Sequence, residues 1–216
     1  MLNQNFDRRG FYEILKTKDI ALTEEVRNVE DFKPHIQEAE KEVEKKIITF
    51  DDLKKIKIKG KDAYKANTIK QQLILKKLNY NIKRVFKIKQ ADRHRIIRTT
   101  KKLLEDSTEY SVIKLDIKSF YESIPRGQLI EDIKSNNLLS IESKWLIDRL
   151  FASQQINHFS GLPRGIGVSA SLAEYYMKYV DKKIRRMDDV FFYGRYIDDI
   201  IVFSIGGEED VLKNIK

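Results

Sequence analysis

The chain has 216 residues, with 42 Lys and Arg against 33 Asp and Glu, a formal charge of +9, no cysteine and three prolines. Without cysteine there is no disulfide framework, thiolate zinc site or cysteine nucleophile, and a reducing cytoplasm is the expected compartment. No stretch of about 18 uncharged apolar residues reads as a membrane span, the start MLNQNFDRRG lacks the apolar run of a signal peptide, and 41% hydrophobic residues suffice for a core rather than a disordered basic tail.

The N-terminal stretch carries an apolar cluster at Phe11, Tyr12, Ile14 and Leu15. Pro34 suits the first turn of a helix, and Ile36, Ala39, Val43 and Ile47 follow at helical spacing. Gly60 marks a break after DDLKKIKIK, and a second helix is expected near 62–79, with Ile69, Leu73, Leu75 and Leu78 on its apolar side. Residues 82–88 lean towards strand, and DRHRIIRTTKKLLEDS reads as a helix ending near Asp106. SVIKLDI (111–117) reads as a strand, with helices expected at about 126–138 and 141–152. Gly161, Pro163, Gly165 and Gly167 mark a loop before the helix SASLAEYYMKYVDKKIRRM, which Ser169 or Ser171 can cap, Ser171 and Glu174 having capping-box spacing. Residues 190–205 read as two apolar strands around a turn, and EEDVLKNIK as the start of a helix.

The positive charge is local. Residues 81–102 hold nine bases and one acid, net +8, whereas the rest holds 33 bases against 32 acids, net +1. Val85, Phe86, Ile88, Ile96 and Ile97 interleave with those bases, as on a folded phosphate-binding surface or a solvated face of a Lys-rich protein.

Asp116, Asp198 and Asp199 carry the chemistry. Asp is disfavoured in strands, yet Asp116 closes an apolar strand and Asp198-Asp199 interrupts another apolar run. Adjacent carboxylates repel and lose hydration unless a cation offsets them. Mg²⁺ does so through carboxylate, water and phosphate oxygens, and two such ions suit phosphoryl transfer. Alone, the Asp pair reads equally as a hairpin turn. The three histidines show no ligand spacing, and no P-loop is present.

LDIKSFYESIP, GLPRGIGVSASLAEYYM and YIDDIIVF occur in this order, Gly161 lying 45 residues after Asp116 and 37 before Asp198. Together they resemble the three central palm motifs of reverse transcriptases, over about residues 80–216, and SFYESI and SASLAEYYM are most similar to the bacterial abortive-infection and defence-associated group. The resemblance implies an α+β right-hand polymerase with fingers and palm. Residues 1–79 would form a helical leader, 80–110 a basic fingers segment, and 111–216 the palm core. It also implies further palm elements and a thumb beyond Lys216, so the chain, ending 17 residues after Asp199, is expected to be truncated and to lack the thumb.

By the same resemblance Asp116, Asp198 and Asp199 are the catalytic carboxylates and, with the Ile117 carbonyl, the metal ligands. Tyr121 stands at the steric gate that selects dNTP over NTP, beside Phe120. Arg164 departs from the usual Gln of the pocket loop, adding a fixed cation. Arg84, Arg93 and Arg98 are candidates for the triphosphate, and Lys87, Lys89, Arg95, Gly161, Pro163 and Tyr196 for template or primer, with Arg195 also near the primer end. The implied cofactors are two Mg²⁺ ions, with Mn²⁺ as a substitute. The implied partners are an RNA or DNA template-primer, dNTPs and a second copy of the chain, with no membrane. A template-independent polymerase and a non-catalytic nucleic-acid-binding remnant are the rival readings, with a metal-dependent nuclease more distant.

Overall fold

The computed structural model describes residues 2–16, 19, 26–58, 60–205 and 211–213. Helices α1 (Arg8–Ile14) and α2 (Phe32–Glu44) precede a hairpin of β1 (Lys54–Ile58) and β2 (Lys61–Lys65). Then come α3 (Ile69–Val85), α4 (Arg93–Leu104), β3 (Ser111–Asp116), the short α5 (Phe120–Ser123), α6 (Arg126–Ser135), α7 (Ile141–Ala152) and α8 (Gly167–Ile184). Strands β4 (Val190–Tyr196) and β5 (Asp199–Ser204) complete a three-stranded sheet of order β3-β5-β4, antiparallel throughout.

The long helix α3 organises the N-terminal half. Thr68 and Gln71 form a reciprocal capping box at its start, and Ile69, Leu73, Leu75 and Leu78 are buried as the periodicity predicts. Its end differs from the sequence expectation, because residues 82–85 continue the helix instead of forming a strand. Ile82 and Phe86, four apart, are both buried, so one spacing serves either period and continuity with the preceding turns decides. The chain leaves the helix at Lys87, whose φ is +50°. Residues 79 and 80 both lie inside α3.

The expected helix near 62 begins as strand β2. Ile58 faces Lys61 across the turn at Gly60, and Lys55 and Lys57 both pair with Asp62. The alternation of Lys55, Ile56, Lys57 and Ile58 is present but short, and β1 buries no residue fully, so it has no clear core face. Ile47, placed on the buried face of α2 by spacing, lies beyond that helix and is 58% exposed.

The N-cap of α8 is Ile166, with no side-chain cap bond, so neither Ser169 nor Ser171 caps it. Both serines are buried one turn inside, where Ser171 Oγ donates to Asn79 Oδ1 on α3 (2.5 Å). Small residues at 169, 171 and 173 let the two helices approach closely. The acids at 208–210, read as a helix start, lie outside the described residues.

The sheet has two unlike faces. Ile113, Ile200 and Val202 are buried in a core with Ile184 and Tyr193, whereas Val112, Lys114 and Asp116 alternate onto an exposed face. Helix α4 lies against that exposed face. It buries none of its residues fully, and its Asp92 cap accepts from the His94 and Arg95 N–H groups.

Candidate active site

The candidate site forms where three turns meet. The register of β3 with β5 sets Asp116 opposite Asp199, and Ile117 N–H donates to the Asp198 carbonyl (3.2 Å), carrying the pairing into the turn. Tyr196 pairs with Asp199, so Ile197 and Asp198 are the two central residues of a tight hairpin. Ile197 has φ +60°, a conformation that such turns usually give to glycine and that a β-branched residue adopts only under strain. Among the described residues, none of the carboxylates of Asp116, Asp198 and Asp199 forms a hydrogen bond or ion pair. The side chain of Ile117 packs between the two hydrophobic clusters.

A cavity of about 530 Å³ opens beside Asp198, lined also by Tyr121, Arg164, Gly165 and Lys61. Its floor is the glycine-rich loop, held at both ends. Leu162 N–H donates to the Tyr121 carbonyl (2.8 Å), and Tyr64 N–H donates to the Arg164 carbonyl (2.8 Å), docking the β1–β2 hairpin onto the loop. Gly165, at φ +88°, passes so close to Tyr64 that an added Cβ would lie 2.5 Å from its carbonyl oxygen. Gly161 is equally confined, its Cβ position being 2.3 Å from the Glu122 carbonyl oxygen. Gly161→Ala is therefore expected to lower stability by about 1–3 kcal/mol in chemical denaturation, since backbone must move on one side.

Arg164 is not a free cation. Its Nε and Nη2 donate to the two Glu122 oxygens at 2.6 and 3.0 Å, and its guanidinium carbon lies 5.3 Å from the Tyr121 ring centroid. The hydrogen bond from Arg164 holds the Glu122 carboxyl below its usual range, and the same pairing raises Arg164. Burial, followed by the Glu174 carboxylate, raises the Tyr121 phenol, so it stays neutral at physiological pH.

The remaining candidates are dispersed. Phe120 is 2% exposed and packs in the core against Tyr121, so it supports the cavity wall from behind. Gly161 and Pro163 are buried within the loop. Arg84 donates to Glu13 of α1 and to Tyr80 of α3 itself, so it is engaged there and not at the carboxylates. Arg93 lies 5.8 Å from the Tyr196 ring centroid and, with Tyr196 and Asp199, lines a 250 Å³ cavity under α4. Arg98 is exposed on α4. Lys87, Lys89 and Arg95 line a separate cleft of about 870 Å³ at the β4 edge.

A family model described as "Reverse transcriptase (RNA-dependent DNA polymerase)" matches residues 58–216. The chain belongs to the reverse transcriptase family. Two solved structures are similar in fold, one named "Partial Cas6-RT-Cas1--Cas2 complex" and one "Cas6-RT-Cas1--Cas2 complex", each with a TM-score of 0.48 and 17% identity over 94% of this chain. The chain spans 38% of the first and 24% of the second. No curated protein matches it.

Within this reverse transcriptase chain the carboxylates fit a hard divalent ion. They are oxygen-only donors, and among the described residues none of them is held in an ion pair. Among the described residues no three His, Cys, Asp or Glu side chains converge as a metal cage, so substrate phosphate and water oxygens would complete the coordination. Sequence reasoning missed Lys61, Glu122 and Glu174. Lys61 had a signal in the alternation around Gly60, whereas Glu122 and Glu174 meet their partners only through long-range packing.

Proposed function

We propose that the protein is an RNA-directed DNA polymerase that adds dNTPs to a 3′-hydroxyl at the Asp116–Asp198 site. The observation that carries this is the set of carboxylates at adjoining strand ends, unpaired among the described residues, beside a cavity lined by Tyr121, Lys61 and Arg164. Asp116 and Asp198, with Asp199 and the Ile117 carbonyl beside them, would hold two Mg²⁺, which on binding lower the charge of the transferring phosphoryl group and of both reacting oxygens. Tyr121 packs at the sugar, Lys61 faces the phosphates, and the loop from Gly161 to Gly167 positions the base. The Glu122–Arg164 pair keeps the Tyr121 ring in place.

The basic cleft of Lys87, Lys89 and Arg95 is where we place the nucleic-acid backbone. Replacing Lys89 and Arg95 by alanine should reduce the slope of log K against log salt for primer-template binding by about 2, as two phosphate contacts are lost. The likeness of SFYESI and SASLAEYYM to abortive-infection enzymes supports a role in antiphage defence, and the absence of cysteine supports the cytoplasm. Primer extension with Mg²⁺, comparing wild type with Asp198→Ala, tests the assignment. Salt-sensitive binding without metal-dependent synthesis would instead mark a non-catalytic binder. Long homopolymer from a single dNTP without template would mark a template-independent polymerase.

A further inference from the structure

Arg195 lies three residues before Asp198, on the face of β4 turned away from the exposed carboxylates. Its side chain is only 5% exposed. Nε and Nη2 donate to the two Asp181 oxygens at 2.7 and 3.0 Å, and Nη1 and Nη2 donate to the two Glu174 oxygens at 3.2 and 2.8 Å. The remaining Nη1 hydrogen goes to the Ile197 carbonyl at 2.9 Å. All five guanidinium donors are thereby used. Tyr193 OH adds a hydrogen bond at 2.7 Å to Asp181 Oδ1, the oxygen that also accepts from Arg195 Nε.

Such an arrangement is not needed for stability. Buried ion pairs gain little over well-packed apolar residues of the same volume. An apolar residue could not, however, donate to the Ile197 carbonyl. That carbonyl belongs to the strained turn residue that directly precedes Asp198, and a conformation of this kind persists only where its surroundings over-determine it. Two hydrogen bonds hold the turn from outside, Ile117 N–H to the Asp198 carbonyl on the β3 side and Arg195 to the Ile197 carbonyl on the α8 side. Glu174 and Asp181 fix Arg195 to α8, the helix whose first turns line the nucleotide cavity at Gly167 and Ala170. Glu174 also acts electrostatically on Tyr121.

We propose that Arg195 is a positioning residue, and that the Glu174–Arg195–Asp181 triad ties the Ile197–Asp198 turn to α8 and so sets where the Asp198 carboxylate stands relative to Asp116 and the nucleotide cavity. The proposal rests on the reading of Asp198 as a catalytic carboxylate. The triad acts through geometry, so its loss should lower turnover more than nucleotide binding.

The test compares wild type, Arg195→Lys, Arg195→Met, and the triple variant Arg195→Met/Glu174→Gln/Asp181→Asn in primer extension with Mg²⁺. Thermal denaturation with and without Mg²⁺ is followed in parallel. Arg195→Met leaves two buried carboxylates uncompensated and should melt well below wild type, whereas the triple variant removes all three charges and should recover most of that loss. In the triple variant, and in Arg195→Lys, which keeps a cation with fewer donors, kcat per folded molecule should remain at least tenfold below wild type. KM for dNTP should stay within about threefold, and the Mg²⁺-induced rise in melting temperature should require several-fold more Mg²⁺. Wild-type kcat in both variants would reduce Arg195 to a structural counter-charge and overturn the proposal. Asp198→Ala is the separate control, because retained activity there defeats the site reading itself, whatever the Arg195 variants do.

Discussion

Asp198→Ala is expected to reduce Mg²⁺-dependent primer extension by about 10³-fold or more while leaving the fold intact. The size follows from what the carboxylate is asked to supply. Metal stabilisation of a transferring phosphoryl group is worth several kcal/mol, and each 1.36 kcal/mol is about tenfold in rate. The fold should survive because Asp198 occupies a turn, its carboxylate makes no hydrogen bond or ion pair among the described residues, and only its backbone carbonyl bonds to Ile117. Removing one of several crowded carboxylates even relieves repulsion. Steady-state extension and a melting curve on the same sample check both halves. Equal incorporation by wild type and variant would return the Asp pair to its simpler reading as a hairpin turn.

Tyr121→Ala should lower the preference for dNTP over NTP by roughly 10–200-fold, read as the ratio of kcat/KM values, the range that one added or missing group in a shaped pocket commands. The ring is half-buried at the cavity wall, with Phe120 against one side (ring centroids 5.1 Å apart) and the Arg164 guanidinium near it at 5.3 Å. A side chain held in this way cannot swing aside to admit a 2′-hydroxyl, and alanine would leave that space open. Incorporation of dNTP itself should fall far less than in Asp198→Ala, because Tyr121 contributes shape and not charge. An unchanged sugar preference in an active variant would make Tyr121 an ordinary packing aromatic.

The candidate carboxylates stand out in the sequence because they break local rules. A carboxylate at the end of an apolar strand and a pair of them inside another apolar run are costly placements that short-range patterning exposes. The strand expected at 111–117, the turn within 190–205 and the helices expected at about 126–138 and 141–152 are found at Ser111–Asp116, between β4 and β5, at Arg126–Ser135 and at Ile141–Ala152, the first of the two helices ending three residues early. The β1–β2 hairpin left only a short Lys-Ile alternation before Gly60 as its signal, because β1 buries no residue fully. The end of α3 did not follow from the pattern, because a short apolar spacing fits both helix and strand.

The sequence by itself determined the family, the order of the motifs and the concentration of positive charge between residues 81 and 102. Only the tertiary structure decided which partners the charged side chains meet, inside that segment and outside it. Arg84 is committed to Glu13, and Arg164, 42 residues from Glu122 along the chain, is paired with it beside Tyr121. Lys61 reaches the site from the largely exposed β1–β2 hairpin, and Arg195 is withdrawn from the surface to fasten the turn that bears Asp198. The physical reason is common to all of them. A charged side chain has no local preference strong enough to say which opposite charge it will meet, so its role is set by whichever partner the folded backbone brings within about 3–4 Å.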